Sequence, residues 1–232
     1  MPTNQFDQPI GPSLGNWRPP PVPAPIPLNG RTVRLEPLDP TTHAAPLFEA
    51  FVDAPDSLWT YLQHGPFATA DELGEALSTL CDSAERLPFA VVVDGRPVGF
   101  LAYLRITAEH GVIEIGSIAF SPGLQRTTAA TEAVSLLIDH AFAIGYRRVE
   151  WKCDDLNARS RAAAERFGFR YEGTFRKAVA YKGRSRDTDW LAITDDDWPA
   201  IGAAHRVWLA PENFDDAGRQ LTRLGAAVPL MS

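Results

Sequence analysis

A strand, a tight turn and a helix follow one another in the segment SIAFSPGLQRTTAATEA, and their junction could bind an anion. The turn falls at Pro122 and Gly123, and the helix after it begins with small or hydroxyl-bearing residues. The first turn of a helix offers free backbone N–H groups and the positive end of its dipole, and small side chains let a phosphate approach closely. Because no glycine-rich loop is present, a helix that simply packs its alanines on a sheet is the alternative interpretation.

This segment resembles the pyrophosphate loop of the GNAT superfamily of acyl-CoA N-acyltransferases. The family pattern is Gln/Arg-x-x-Gly-x-Gly/Ala, and this sequence reads Gln125-Arg126-Thr127-Thr128-Ala129-Ala130. Thr128 stands where the family usually has glycine, and its hydroxyl could itself donate to a phosphate. The stretch NARSRAAAERFGFRYEGTFR resembles the Asn-x-x-Ser…Gly-Phe…Glu-Gly…Arg pattern of the ribosomal-protein N-terminal acetyltransferases. The order and spacing of the motifs extend the resemblance over residues 31–198.

The resemblance implies where acetyl-CoA binds. It places the cofactor in a splay between the strands 111–120 and 146–155, with the pantetheine arm along the backbone of Ile118, Ala119 and Phe120 like an added strand. One of these amides would face the thioester oxygen as it becomes an oxyanion. Asn157 would contact the cofactor and also cap the following helix. The pyrophosphate would lie on the loop and helix start, formed by Gln125, Arg126, Thr127, Thr128, Ala129, Ala130 and Thr131.

Acyl transfer to an amine needs a base for the incoming ammonium and an acid for the leaving thiolate. Glu114 is the first candidate base, because the histone-acetyltransferase branch of the superfamily places a glutamate at this spacing; Glu150 is the second. An ion pair with a neighbouring arginine or lysine is the alternative role of Glu114. Many family members use a tyrosine seven residues after the asparagine as the acid, but Ala164 occupies that position. The resemblance therefore points to Ser160, three residues after Asn157.

The acceptor side is the segment 57–67, which resembles the acceptor loop of the ribosomal branch. Trp59 and Tyr61 could hold an alkyl amine or stack on its cation, and ordinary core packing explains either residue equally well. Asp187, at the last predicted hairpin, could face the same pocket or pair with an arginine. We predict no metal site, because Cys81 and Cys153 lie too far apart in the sequence for a metal motif. Nothing in the sequence suggests a disulfide framework.

The hydrophobic pattern predicts the elements that must position these residues. Their order is strand, helices, three strands, helix, strand, helix and two strands, which is an α/β (α+β) fold with a mixed, mainly antiparallel sheet. Thr69 and Glu72 form a capping-box pattern for a helix that is predicted to reach Arg86. A hairpin turns at Asp94 and Gly95. The last two strands turn at Gly183.

A length of 232 residues without a shift in composition favours a single folded domain, which we place at residues 29–200. Residues 1–28 hold nine of the 20 prolines, and proline excludes a helix there. This arm is either a solvated polyproline tail or an extended segment anchored by Trp17 and Ile26. Residues 201–232 are predicted to form a helical appendage.

The net charge of −7 argues against a general nucleic-acid binder, which needs a basic face for the phosphates. It suits a small cationic partner. No apolar run approaches the roughly 18 residues of a membrane span, and no signal-peptide pattern opens the chain. These features predict a cytoplasmic protein with neither a membrane nor a nucleic acid as its partner.

The resulting hypothesis is an acetyl-CoA-dependent N-acetyltransferase that transfers the acetyl group directly to a primary amine. The acceptor would be a small molecule or a protein N-terminus, and a homodimer is compatible with the sequence. One alternative is a non-catalytic acyl-CoA-binding protein, favoured if Glu114 and Glu150 both lie away from the thioester. Another is a succinyl-type acyltransferase, favoured if an arginine such as Arg176 faces the acyl pocket.

Overall fold

The computed structural model describes residues 1–227, and these residues form one eight-stranded sheet. Its order is β1-β2-β3-β4-β5-β6-β8-β7, and every neighbouring pair is antiparallel except β5–β6. The predicted mixed, mainly antiparallel sheet is therefore confirmed, and the short β1 adds to it. The strands are β1 (Leu28–Asn29), β2 (Arg34–Pro37), β3 (Leu87–Val93), β4 (Arg96–Thr107), β5 (Val112–Phe120), β6 (Arg148–Asp154), β7 (Arg170–Tyr181) and β8 (Arg184–Thr194).

Helices cover both faces of this sheet. Phe100 packs in one apolar cluster with Leu73 and Leu77, whereas its neighbour Leu101 packs in a larger cluster with Leu137. Because successive residues of a strand point to opposite faces, α1 and α2 lie on one face and α3, α4 and α5 on the other. The helices are α1 (Pro40–Ala50), α2 (Ala70–Cys81), α3 (Thr128–Ala143), α4 (Ala158–Arg166), α5 (Trp198–Leu209) and the single turn α6 (Leu224–Ala227).

Local sequence signals set the helix starts. The Thr69 hydroxyl accepts from the Glu72 amide at 3.2 Å, and the Glu72 carboxylate accepts from the Ala68 amide at 2.7 Å, as the capping pattern predicts. The predicted end of this helix at Arg86 is wrong, because α2 ends at Cys81. The five residues after Cys81 offer no large apolar side chain that a further turn could bury, and the chain then enters β3.

The parallel pair β5–β6 is short and opens into a splay. Only three register pairs join the two strands in the described structure, and Glu114 opposite Glu150 is the last of them. Beyond it, β5 pairs with β4 as far as Phe120, while β6 pairs with β8 as far as Asp154. A bulge at Ser117, which has a φ of 49°, bends β5 where the strands part. The facing edges of β5 and β6 are left without a strand between them.

The proline-rich arm lies along the domain. Trp17 packs on Gly111 and stacks under the Arg147 guanidinium at 5.4 Å, and Pro20 and Pro23 are buried. Ile26, the other predicted anchor, is half exposed, so Trp17 is the residue that holds the arm.

The C-terminal segment begins with α5, whose Ile201, Ala204 and Trp208 are buried. Ile201 and Trp208 belong to the larger core, so the segment predicted as an appendage packs on the sheet domain. Residues 228–232 of that prediction lie outside the described residues. No helix among residues 1–227 is long and apolar enough to cross a bilayer.

His205 of α5 is a buried histidine that is not among the predicted site residues. Its Nε2 donates to the Phe167 carbonyl at 2.9 Å, while Nδ1 is buried without a hydrogen-bond partner among residues 1–227. Protonation would place an unpaired N–H in the core, and burial accordingly lowers the pKa of His205 to about 4.

Acid should therefore destabilise the fold through His205. Between the ordinary pKa of about 6.5 and the folded value of about 4, the unfolded chain binds a proton that the folded chain does not, so stability falls as the pH falls. We expect the titration of His205 to make the free energy of unfolding about 2 kcal/mol smaller at pH 5 than at pH 7. Urea titrations at both pH values measure it. His205→Gln keeps a donor but does not titrate, and an undiminished pH dependence in that variant would contradict the assignment.

Candidate active site

A groove of about 560 Å³ runs through the splay and reaches both faces of the sheet. On one side it is lined by residues of the 58–67 loop, α2 and β4, such as Leu62 and Leu80. On the other it is lined by Val134 of α3 and by Ser160 and Phe167 of the α4 region. We refer to these as the α2 side and the α4 side. The open gap between β5 and β6 connects them, so one molecule threaded through it would meet both.

Glu114 and Glu150 lie side by side on the α2 side, as the last pair before the strands part. Both are buried, at 3% and 7% exposure. Glycine at position 116 leaves room for the Glu114 carboxylate. A Cβ at Gly116 would stand 2.8 Å from Leu104 and 3.2 Å from Glu114 Oε1. The two candidate bases therefore occupy one cluster, of which Glu114 lines the groove.

Lys152 joins these two carboxylates. Its Nζ lies 3.0 Å from Glu114 Oε2 and 2.8 Å from Glu150 Oε2, and 3.7 Å from the centre of the Trp190 ring. Sequence reasoning missed this residue, although the alternation of YRRVEWKCDD places Lys152 on the same strand face as Glu150. The Lys152 ammonium thus bridges the two buried carboxylates.

Two arginines complete the cluster. Arg105 contacts Glu114 from a bulge on β4, where its φ is 46°, and Arg148 Nε donates to Glu150 Oε1 at 2.8 Å. Burial works to raise the pKa of Glu150, but the hydrogen bonds from Lys152 and Arg148 outweigh it and hold that pKa below its ordinary value. Glu114 is thus an ion-pair partner, as the alternative interpretation predicted, and it also lines the groove.

Ser160 and Asn157 lie on the α4 side. Asn157 Oδ1 accepts from the Ser160 amide at 3.1 Å, which makes it the predicted cap of α4. The Ser160 hydroxyl accepts from Trp151 Nε1 at 3.0 Å and stands beside the buried thiol of Cys153. Because Trp151 supplies its own N–H, the hydroxyl keeps its proton for a further acceptor. Burial raises the pKa of the Cys153 thiol, which disfavours the nucleophilic thiolate.

The helix α3 starts close to the predicted position, and Thr127, expected among its first residues, is its cap. The Thr127 hydroxyl accepts from the Ala130 amide at 3.1 Å, and α3 begins at Thr128. Ala129 and Ala130 are buried in the larger core, so the alanines do pack on the sheet. Thr131 is also buried, and its hydroxyl accepts from Arg166 at 3.2 Å. Thr127 and Thr128 are only half-buried at the start of the helix, and residues 125–131 do not line the groove in the described structure.

Gln125 and Arg126 are exposed just before this helix. The Gln125 side chain donates to the Phe120 carbonyl at 2.9 Å and so ties the loop to the end of β5. Arg126 adopts a φ of 64°. Ala119 and Phe120 pair with β4, and the side chains of Ile118 and Phe120 line the groove. Of the cofactor residues expected from the resemblance, Ile118, Phe120 and Asn157 therefore line the groove, and Gln125 lies at the end of β5.

The predicted acceptor residues divide into two groups. Trp59 and Tyr61 both line the groove on its α2 side. Trp59 is 5% exposed and packs between Phe51 and Phe67, with ring centres 5.2 and 5.0 Å away. Asp187 does not reach the groove: it lies in a separate depression with Arg176, and its Oδ1 accepts from the Lys177 amide at 2.7 Å.

Hydrogen bonds to two other loops fix the acceptor loop over the groove. Lys182, at the tip of the β7–β8 hairpin, donates from Nζ to the carbonyls of Trp59 and Gly65 at 2.8 and 2.9 Å. The Tyr61 hydroxyl donates to the Leu156 carbonyl, after β6, at 3.1 Å. Lys182 gives no local sequence signal, because its partners are more than 110 positions away.

Comparison with protein families matches residues 48–169 to the family described as Acetyltransferase (GNAT) family. The match covers more than half of the chain and agrees with the splay, the groove and the α3 start. The protein therefore belongs to the GNAT acetyltransferases, a family of enzymes that use acetyl-CoA. No curated protein matches the chain.

Solved structures give more detail. A GCN5-related N-acetyltransferase from Brucella melitensis is 45% identical, over 92% of this chain and 99% of that one, with a TM-score of 0.89. A probable acetyltransferase of the GNAT family from Chromobacterium violaceum is 42% identical, over 83% and 98%, with a TM-score of 0.79. RimJ from Mycobacterium smegmatis, solved in complex with CoA-disulfide, is 25% identical, over 78% and 91%, with a TM-score of 0.66. The resemblance to the ribosomal-protein branch thus extends to a solved relative.

Proposed function

We propose that acetyl-CoA lies in the splay and that the protein transfers its acetyl group directly to a primary amine entering from the α2 side. One observation carries this proposal: the groove passes between the Glu114 carboxylate on one face of the sheet and the Ser160 hydroxyl on the other. The incoming amine would meet Glu114, which can take its proton, on one face. The departing thiolate would meet the Ser160 hydroxyl, which can protonate it, on the other.

The residues present fit the cofactor. Bound there, acetyl-CoA supplies an activated acetyl thioester. Beyond Glu114, the edge of β5 that faces β6 has no strand beside it in the described structure. This gap leaves room for the extended pantetheine arm of the cofactor. The backbone of Ile118, Ala119 and Phe120 runs along that edge, where alternate N–H and C=O groups can face the arm, and the α3 start at Thr128 offers helix N–H groups to phosphates. The RimJ relative, solved with CoA-disulfide, supports a CoA cofactor.

Glu114 acts in this proposal as the general base. It lines the groove, and its carboxylate is held in place by Arg105 and Lys152. It takes the proton that the incoming amine must lose. Glu150 does not line the groove and shares Lys152 with Glu114, so it acts as a positioning residue.

Ser160 acts as the general acid on the α4 side. Trp151 and the Asn157 cap fix its position, and its own proton is available to a thiolate sulfur. The N-terminus of α4 also favours negative charge there. The buried thiol of Cys153 argues against a covalent acetyl-enzyme.

The alternatives lack comparable support. Both carboxylates lie at the splay, which disfavours a purely binding role for the fold. Arg176, which would favour a succinyl-type acyl group, lines the separate depression with Asp187. Thiol release from acetyl-CoA in the presence of primary amines, with the acetylated product identified by mass spectrometry, tests the activity. Release that does not depend on any amine would contradict it.

The cofactor placement predicts the effect of a charge at the start of α3. Thr128→Glu should weaken binding of CoA by about 100-fold, because a carboxylate would face the phosphates at the N-terminus of α3. Thr128 is only half-buried, so the fold should persist. Calorimetric titration with CoA measures the affinity. Thr128→Gln is the matched neutral control, and equal affinities of the two variants would show that the pyrophosphate binds elsewhere.

A further inference from the structure

The α2 side of the groove has an apolar wall. Five partly exposed side chains form it, from the acceptor loop, from α2 and from β4. Such a wall favours the carbon chain of a ligand over its polar groups. The five residues are Leu58, Leu62, Ala76, Leu80 and Leu104.

The charges around this wall are mostly positive, although the whole protein has a net charge of −7. Carboxylates line the same side at Glu85, Glu114 and Asp154. Cations line it at Arg86, Arg105, Lys152 and Arg186. The cations on this side thus outnumber the carboxylates by one, and three of the four are arginines.

The buried carboxylates on this side already have partners. Glu114 contacts Arg105 and Lys152. Asp154 accepts from the Tyr181 hydroxyl at 2.9 Å and from the Leu156 amide at 3.0 Å. Glu85 is exposed at the rim, next to Arg86 in the sequence. Glu85 is therefore the one carboxylate lining this side for which the described structure records no partner, and it lies at the rim. Deeper in the groove, a second ammonium on the acceptor would lose its water without gaining an unshared carboxylate, and it would approach guanidinium groups.

We infer that the acceptor is a primary amine on an apolar chain, with no second positive charge. This inference rests on the proposed function, and it rejects polycations such as polyamines and aminoglycosides. The arginines would repel a second positive charge on the acceptor, and the apolar wall would bind its carbon chain. An anionic group at the far end of the acceptor is compatible with the site, because Arg86 would face it.

Three amines of equal chain length test the inference: pentylamine, 1,5-diaminopentane and 5-aminopentanoate. Their affinity for the CoA-loaded protein is measured by calorimetry, and thiol release is measured in parallel. We expect pentylamine to bind about tenfold more tightly than the diamine, which differs by one ammonium. The aminopentanoate should also bind more tightly than the diamine. Binding of the diamine at least as tightly as pentylamine, or no measurable binding of pentylamine, would overturn the inference.

Variants of Arg86 identify the source of the discrimination. Arg86→Glu should raise the affinity for the diamine and lower that for the aminopentanoate, whereas Arg86→Lys should preserve the order. An unchanged order in Arg86→Glu would contradict the charge argument. The expected order of affinities without thiol release from any of the amines would refute the proposed acetyl transfer while supporting the acceptor class.

Discussion

Glu114→Gln should lower kcat/KM for acetyl transfer at pH 7 by about 100- to 10,000-fold, the usual contribution of a general base. Glutamine keeps the size of the side chain and a hydrogen-bonding oxygen, but it cannot take the proton from the incoming ammonium. The loss should shrink as the pH approaches the pKa of the amine, because the acceptor then arrives neutral. Thiol release measured from pH 6 to pH 10 gives both the loss and its recovery.

Glu150→Gln is the matched control, on the neighbouring strand and in contact with the same lysine. It should reduce the rate far less, because Glu150 does not line the groove. If Glu150→Gln displaced the pH profile and Glu114→Gln did not, the base would be Glu150. If neither variant moved the profile, the enzyme would select neutral amine from solution, and both carboxylates would be structural.

Ser160→Ala should slow turnover by about 100-fold or more while leaving the affinity for CoA nearly unchanged. The hydroxyl matters when the thiolate leaves, and cofactor binding depends mainly on other contacts. The thiolate of an acidic aryl thiol leaves without being protonated. An acetyl thioester of such a thiol should therefore restore much of the lost rate. If the role of Ser160 were only structural, the aryl thioester would not restore the rate of the Ser160→Ala variant. A variant within about twofold of the wild type would show that another group or water protonates the sulfur.

The parts of this structure that the sequence predicts well are those set by neighbouring residues. Thr69, Thr127 and Asn157 each cap a helix, and each forms its hydrogen bond within three positions of itself. The alternation of apolar residues likewise predicts the strands, because it reports directly which face is buried. Glu114 and Glu150 could be placed near each other once the two strands were predicted to be neighbours.

What the sequence could not predict depends on contacts between distant residues. Lys152 and Arg105 convert Glu114 from a carboxylate among apolar neighbours into part of an ion cluster, and this requires the register of three strands. Lys182 reaches the acceptor loop only because the last hairpin folds over it. Asp187 sits on the same hairpin but points into another depression, a difference that no local pattern encodes.

The central claim is that acetyl-CoA occupies the splay between β5 and β6, and hydrogen–deuterium exchange with and without CoA tests it most directly. Backbone amides that pair with the cofactor or face its phosphates should exchange more slowly when CoA is bound. We predict slower exchange in residues 115–120 and 126–131, with β1 to β3 unchanged. Protection confined to the depression around Asp155 and Asp187, or none in residues 115–120, would contradict this account.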